Sequence, residues 1–238
     1  MTKDIAFAGI SLSKLGIGPE DVLKINSELR PLLDDLSGWY PDEFRASHIL
    51  RLWPQKNYET EKKPSNLMVS GLVTSSALLP WTEAAVQMPE ACRILESCFF
   101  SWMKPLPRCC ILHVAPNTSI PVHVDIAPSN TSKLELKLRL VLDGDTSGIF
   151  FLNKSGEKLF INEHHDAFVL NGSMPHGYAA TKKGLTMLVM GYPWNGANNM
   201  MQLSDLILPG TEILSSSISS KISEEMYEEV FLLKKQLS

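Results

Sequence analysis

What the chain lacks narrows its possibilities first. None of its 238 residues belongs to a run approaching the roughly 20 consecutive apolar residues of a membrane span, so no membrane partner is expected. Met1-Thr2-Lys3-Asp4 leads into a short apolar run broken by Gly9, which does not read as a secretory signal. Only four cysteines occur, at 92, 98, 109 and 110, without the paired spacing of a zinc site. Reduced thiols in a cytoplasmic protein are the expectation. Positive charge is not in excess: 22 Lys and Arg stand against 26 Asp and Glu, a net charge of −4. That balance gives no electrostatic footprint for duplex nucleic acid, so no nucleic-acid partner is expected. Internal repeats and long low-complexity tracts are missing too.

What is present is enough apolar material for a core. The hydrophobic content of 44% argues against wholesale disorder, and 238 residues suit one enlarged domain or two small ones. Residues 19–36 repeat apolar side chains at helical spacing after Pro19, Glu20 and Asp21, with Pro31 expected to divide or kink the helix. Residues 38–64 mix charges with Trp39, Tyr40, Phe44, Trp53 and Tyr58, and read as surface structure or a loop layer. A second helix is expected over 89–103, with Cys92, Leu95 and Phe99 on its buried stripe.

From Cys109 the period changes to that of strands. Segments 109–114, 121–125, 133–143, 148–152, 158–161, 167–170 and 185–190 are separated by turn signals, among them Pro116-Asn117-Thr118, Asn153-Lys154-Ser155-Gly156 and Asn171-Gly172. Short strands at this rhythm predict an antiparallel sandwich or barrel. The segment 133–143 is the most regular. Leu134, Leu136, Leu138, Leu140 and Leu142 share one face, while Glu135, Lys137 and Arg139 share the other. The leucine face is expected against the helices; the polar face looks either into the barrel or to solvent. Residues 221–236 predict an amphipathic C-terminal helix.

Pro121-Val122-His123-Val124-Asp125 carries the chemistry. Positions i and i+2 of a strand point the same way, so His123 and Asp125 can reach one ion. His176 follows a turn 53 residues after His123 and supplies a third donor. Two histidines and one carboxylate on one face of an octahedral ion suit non-heme Fe(II). His164-His165-Asp166 is a competing cluster, but adjacent strand residues face opposite ways, and a solvated turn is the plainer reading. His113 could line a pocket, although a hydrogen-bonded core histidine is the commoner case.

Residues 107–195 resemble the catalytic barrel of Fe(II)/2-oxoglutarate-dependent oxygenases, and within it the aspartyl/asparaginyl β-hydroxylase-like branch. The matching pieces are Pro116-Asn117-Thr118 ahead of His123, Leu136-Lys137-Leu138-Arg139-Leu140, Asp166 to Leu170 before His176, and Leu185 to Trp194. The resemblance implies a double-stranded β-helix (jelly-roll, cupin-like) core; with the helical patterns read above, an α+β protein is expected, with N-terminal helices on one sheet and a C-terminal helix. It would form a single domain over 1–238: a mainly helical lead-in at 1–106, the catalytic core at 107–195, and an extension with a helix at 196–238. It implies Fe(II) held by His123, Asp125 and His176, with 2-oxoglutarate as co-substrate. The activity implied is hydroxylation of a small polar substrate such as a free or carrier-bound amino acid, or of a protein side chain. A basic residue about ten positions after the distal histidine usually grips the far carboxylate of the co-substrate, and here that position is Thr186. Arg139, with Thr186 and Lys137 beside it, is the implied replacement. Thr186 also keeps alive a jelly-roll metal-binding or sensor protein without turnover.

Overall fold

Strand-period segments separated by turns run from Arg108 onward, and they meet as neighbours in two antiparallel sheets. A computed structural model describes residues 5–36, 39–42, 47–53, 68–69, 73–74, 77–78, 81–94, 97, 108–124, 135–161, 163–172, 174–193 and 203–219. The first part holds β1 (Ile5–Gly9), α1 (Pro19–Asp34), β2 (Tyr40–Asp42) and β3 (Ser47–Trp53). Four two-residue strands follow, β4 (Met68–Val69), β5 (Val73–Thr74), β6 (Ala77–Leu78) and β7 (Trp81–Thr82), then α2 (Glu83–Val86) and α3 (Pro89–Ile94). The remaining strands are β8 (Arg108–Val114), β9 (Ile120–His123), β10 (Glu135–Gly144), β11 (Ile149–Leu152), β12 (Lys158–Phe160), β13 (Ala167–Asn171), β14 (His176–Tyr178), β15 (Leu185–Pro193) and β16 (Ile213–Leu214).

The large sheet runs β16-β1-β13-β10-β15-β8-β3-β2, and the small one β12-β11-β14-β9. Strands β8 to β15 therefore pass back and forth between the two sheets, with β11 and β12 as a hairpin in the small one. The order β13-β10-β15-β8 facing β12-β11-β14-β9 is that of a double-stranded β-helix, and the expected α+β jelly roll is what the chain forms.

Period-two alternation sorts the side chains into two cores. Leu138, Leu140 and Leu142 of β10 pack with Ile25 and Leu29 of α1 and with Ala91 and Ile94 of α3. Val141 of the same strand joins Phe151, Phe168, Leu185 and Met187 between the sheets. Helix α1 is seated on β10 by Asn26, whose amide donates to the Leu142 carbonyl at 2.6 Å. The Glu28 carboxylate accepts from the Glu90 N–H at 2.9 Å, satisfying one of the donors that a helix start leaves open on α3.

Several expectations need revision. Pro31 does not divide α1, which continues through it to Asp34. It lies in the last turn, where one lost N–H leaves most of the ladder intact. The apolar run before Gly9 is strand β1, paired with β13 through Phe7↔Leu170. Within 38–64, β3 pairs with β8 and β2 with β3, so part of that stretch extends the large sheet. The helix expected over 89–103 is described as far as Ile94, and the one expected over 221–236 lies outside the described residues.

The fold makes a contrast on one helix. Leu29 is 1% exposed and Leu23 67% exposed. Leu29→Ala is expected to lower unfolding free energy by about 2–5 kcal/mol, and Leu23→Ala to change it by less than about 0.5 kcal/mol. Urea denaturation of the two variants checks this.

Candidate metal centre

His123 ends β9 and His176 begins β14, and the two residues sit directly opposite each other in the antiparallel ladder. Opposed residues project to the same face, which brings the ring centroids to 4.4 Å. Both side chains are buried, at 7% and 5% exposure. A carbonyl oxygen can only accept, so the contacts at Nδ1 assign the tautomers. His123 Nδ1 donates to the Pro121 carbonyl at 2.9 Å, and His176 Nδ1 donates to the Met174 carbonyl at 2.7 Å. Each Nε2 then carries the lone pair that a metal needs. A backbone carbonyl on the far nitrogen is the usual way a ligating imidazole is oriented.

The backbone around His123 explains part of this. Between His176↔His123 and Tyr178↔Ile120 the register shifts, so β9 holds one residue more than β14 there. Pro121 lies in that bulge. It has no N–H to give to a ladder, and bulges and edge strands are where a sheet accommodates proline. Gly177, between His176 and Tyr178, is also fixed by space: a Cβ there would meet the Phe150 ring at 2.7 Å and the Ile120 carbonyl oxygen at 2.9 Å.

Arg139 lines the same cavity as His123 and His176, together with the apolar side chains of Leu112, Leu170, Leu185 and Met187. It is 6% exposed, and its guanidinium lies 5.7 Å from the centroid of the Phe168 ring. Lys137, two residues earlier on the same face of β10, is 3% exposed. The polar face of that strand thus looks inward. A buried cation beside two imidazoles is chemically suited to receive a carboxylate, and a guanidinium can grip one bidentately.

Thr186 belongs elsewhere. Leu185, Met187 and Val189 point between the sheets, whereas Leu188 points to the helix-side core. Thr186 shares the face of Leu188, and its hydroxyl lies 2.9 Å from His113 Nδ1. His113 in turn meets the Trp39 ring edge-on at 6.1 Å. Thr186 therefore lies on the helix-side face of β15, opposite to the face of Leu185 and Met187 that lines the histidine cavity. His113 is thus a half-buried, hydrogen-bonded histidine and is not among the residues lining the cavity of His123 and His176.

Among the described residues no set of three or more His, Cys, Asp or Glu side chains converges on one point. Asp125, the expected third donor, lies outside them. The competing cluster lies in the bend ahead of β13, and it is not wholly solvated. The His164 side chain is 49% exposed, with Nε2 3.5 Å from Asp166 Oδ1. His165 is 7% exposed, tilted against the Phe7 ring at 5.3 Å. It fits because residue 9 is glycine: a Cβ there would approach His165 Nδ1 to 2.7 Å. The Arg139–Phe168 pairing was not foreseeable from local sequence, since only the β10–β13 register sets the two opposite each other.

No protein-family model matches this chain, and no curated protein matches it. Solved structures do. A Pseudomonas putida prolyl-4-hydroxylase is similar at 13% identity, over 81% of this chain and 94% of that one, with a TM-score of 0.46. A prolyl hydroxylase from Trichoplax adhaerens, in complex with a hypoxia inducible factor peptide fragment, is similar at 8% identity, over 84% and 87%, with a TM-score of 0.48. A 2OG-Fe(II) oxygenase family oxidoreductase from Burkholderia pseudomallei is similar at 14% identity, over 75% and 93%, with a TM-score of 0.36.

Burial holds the His165 imidazole below its ordinary value, against the opposing pull of the Glu163 carboxylate. The folded state thus prefers the neutral ring. Above the unfolded value of about 6.5 this group leaves stability unchanged. As pH falls from there to the lower folded value, the unfolded chain gains a proton that the folded chain resists, and stability drops. His165→Gln is expected to flatten that part of the pH profile, read as urea midpoints between about pH 7.5 and 5.

Proposed function

We propose that this chain is an Fe(II)- and 2-oxoglutarate-dependent dioxygenase that hydroxylates an unactivated C–H bond. The observation that carries the reading is the opposed pair His123 and His176, each with Nδ1 tied to a backbone carbonyl and both lining one cavity. Two imidazoles held through Nδ1 suit a borderline metal such as iron, and His123, Asp125 and His176 would hold it. Bound together, iron and 2-oxoglutarate supply the oxidation, in which one atom of O2 goes to succinate and the other to the product. Arg139 receives the far carboxylate of the co-substrate, with Lys137 adding positive charge on the same strand face. The apolar walls around Arg139 exclude water and strengthen that ion contact. The preferred substrate is a small polar molecule, a free or carrier-bound amino acid; a protein side chain is second. The aspartyl/asparaginyl β-hydroxylase-like branch is favoured by the motifs around His123, Arg139 and His176.

Thr186 favours one other reading. Its side chain is turned to the helices, so the position that usually anchors the co-substrate offers nothing to it, and a jelly-roll metal-binding protein without turnover would tolerate that. An anaerobic titration with Fe(II) and then 2-oxoglutarate separates the two. The enzyme is expected to develop a weak visible metal-to-ligand band and, under air, to form succinate. Iron retention without that band supports the other reading.

The variants are specific. Asp125→Ala and His176→Ala are expected to abolish iron retention, and His165→Ala to leave it unchanged. Arg139→Ala is expected to raise the KM for 2-oxoglutarate by about ten- to a hundredfold, the worth of a charged hydrogen bond, whereas Thr186→Val leaves it as it was. Metal analysis and succinate assays check each outcome.

A further inference from the structure

A second, larger cavity lies away from the histidine pair. Its volume is about 660 Å³, within the range of small-molecule sites. Ile10, Leu12, Ile17, Val22, Leu23 and Leu208 form apolar walls, and Ser11, Ser13, His164, His165 and Asp166 bring polar atoms to it. Val141 is the wall residue on β10. The two cavities draw on nearby positions of that strand, Arg139 lining one and Val141 the other, and among the described residues they share no lining residue. The Val141 N–H donates to the Asp166 carbonyl at 2.8 Å, joining two wall residues of the second cavity.

Three observations point to a ligand of one kind. The most exposed large apolar side chain among those described as such, Leu23 at 67%, stands at this cavity, where a bound apolar body would cover it. The single fixed charge among the described lining residues is the Asp166 carboxylate, 74% exposed. No Lys or Arg is among them, and Lys14, next to Ser13, directs its ammonium to the Asp205 carbonyl at 2.5 Å. His165 meanwhile presents a buried imidazole in the wall, capable of one more hydrogen bond.

We infer that this cavity is a second binding site, for a small apolar amine whose alkyl or aryl body lies against Ile10, Ile17 and Val22 and whose ammonium meets Asp166. Apolar area gives the affinity, and the lone carboxylate selects a cation over an anion of the same length. The site is independent of the iron chemistry proposed above and stands or falls without it.

The test is isothermal titration of the full chain with octylamine, octanol and octanoate at neutral pH. Octylamine is expected to bind most tightly and octanoate least. Asp166→Lys and Leu23→Lys alter exposed positions and spare the cores; each is expected to weaken octylamine by about tenfold, and Asp166→Lys to make octanoate the better ligand. His123→Ala is expected to leave octylamine binding unchanged. Loss of binding in His123→Ala would place the amine in the other cavity and overturn the inference. So would an octanoate affinity equal to that of octylamine, or no binding by any of the three.

Discussion

The structure depends on β10 being buried on both faces at once. A strand has two faces of alternating side chains, and here each face completes a different core. Leucines at 138, 140 and 142 hold α1 and α3 to the large sheet, and the residues between them fill the space between the sheets. The same alternation that anchors the helices therefore decides which charges are carried inside. Lys137 and Arg139 are buried because their neighbours must be. Burying cations between apolar layers is costly, so the charges carried inside are set by the alternation that fills the two cores.

The histidine pair is placed by the other sheet, through strand pairing instead of sequence proximity. β9 and β14 are three or four residues long and far apart in the chain, yet a single opposed pair fixes the rings 4.4 Å apart. The bulge at Pro121 and the tight approach at Gly177 both lie between that pair and the next one, Tyr178↔Ile120. Such departures from ideal geometry gather where a strand must aim a side chain.

How much of this could be read in the sequence followed from how local the signal was. The strands from Arg108 on were legible because alternation and turn residues reinforce one another, and His123 and His176 stood out within them. Strand β1 was not: Ile5–Gly9 is buried throughout, shows no alternation, and gains its meaning only from β13, which comes much later. The face that Thr186 takes was not legible either, because one residue of register in a strand is the whole width of the sheet. His165 looked like part of a wet turn because nothing in its own neighbourhood announces the glycine at position 9 that makes room for it.

The hydrogen bonds at Nδ1 have a consequence for how the site can change. Both go to main-chain oxygens, of Pro121 and Met174, and no exchange of a nearby side chain can delete a main-chain oxygen. Ring presentation is thereby insulated from drift in the surrounding residues. Descendants of this chain can remodel the walls around Arg139, and with them the choice of molecule admitted, while the two nitrogens go on facing inward as before.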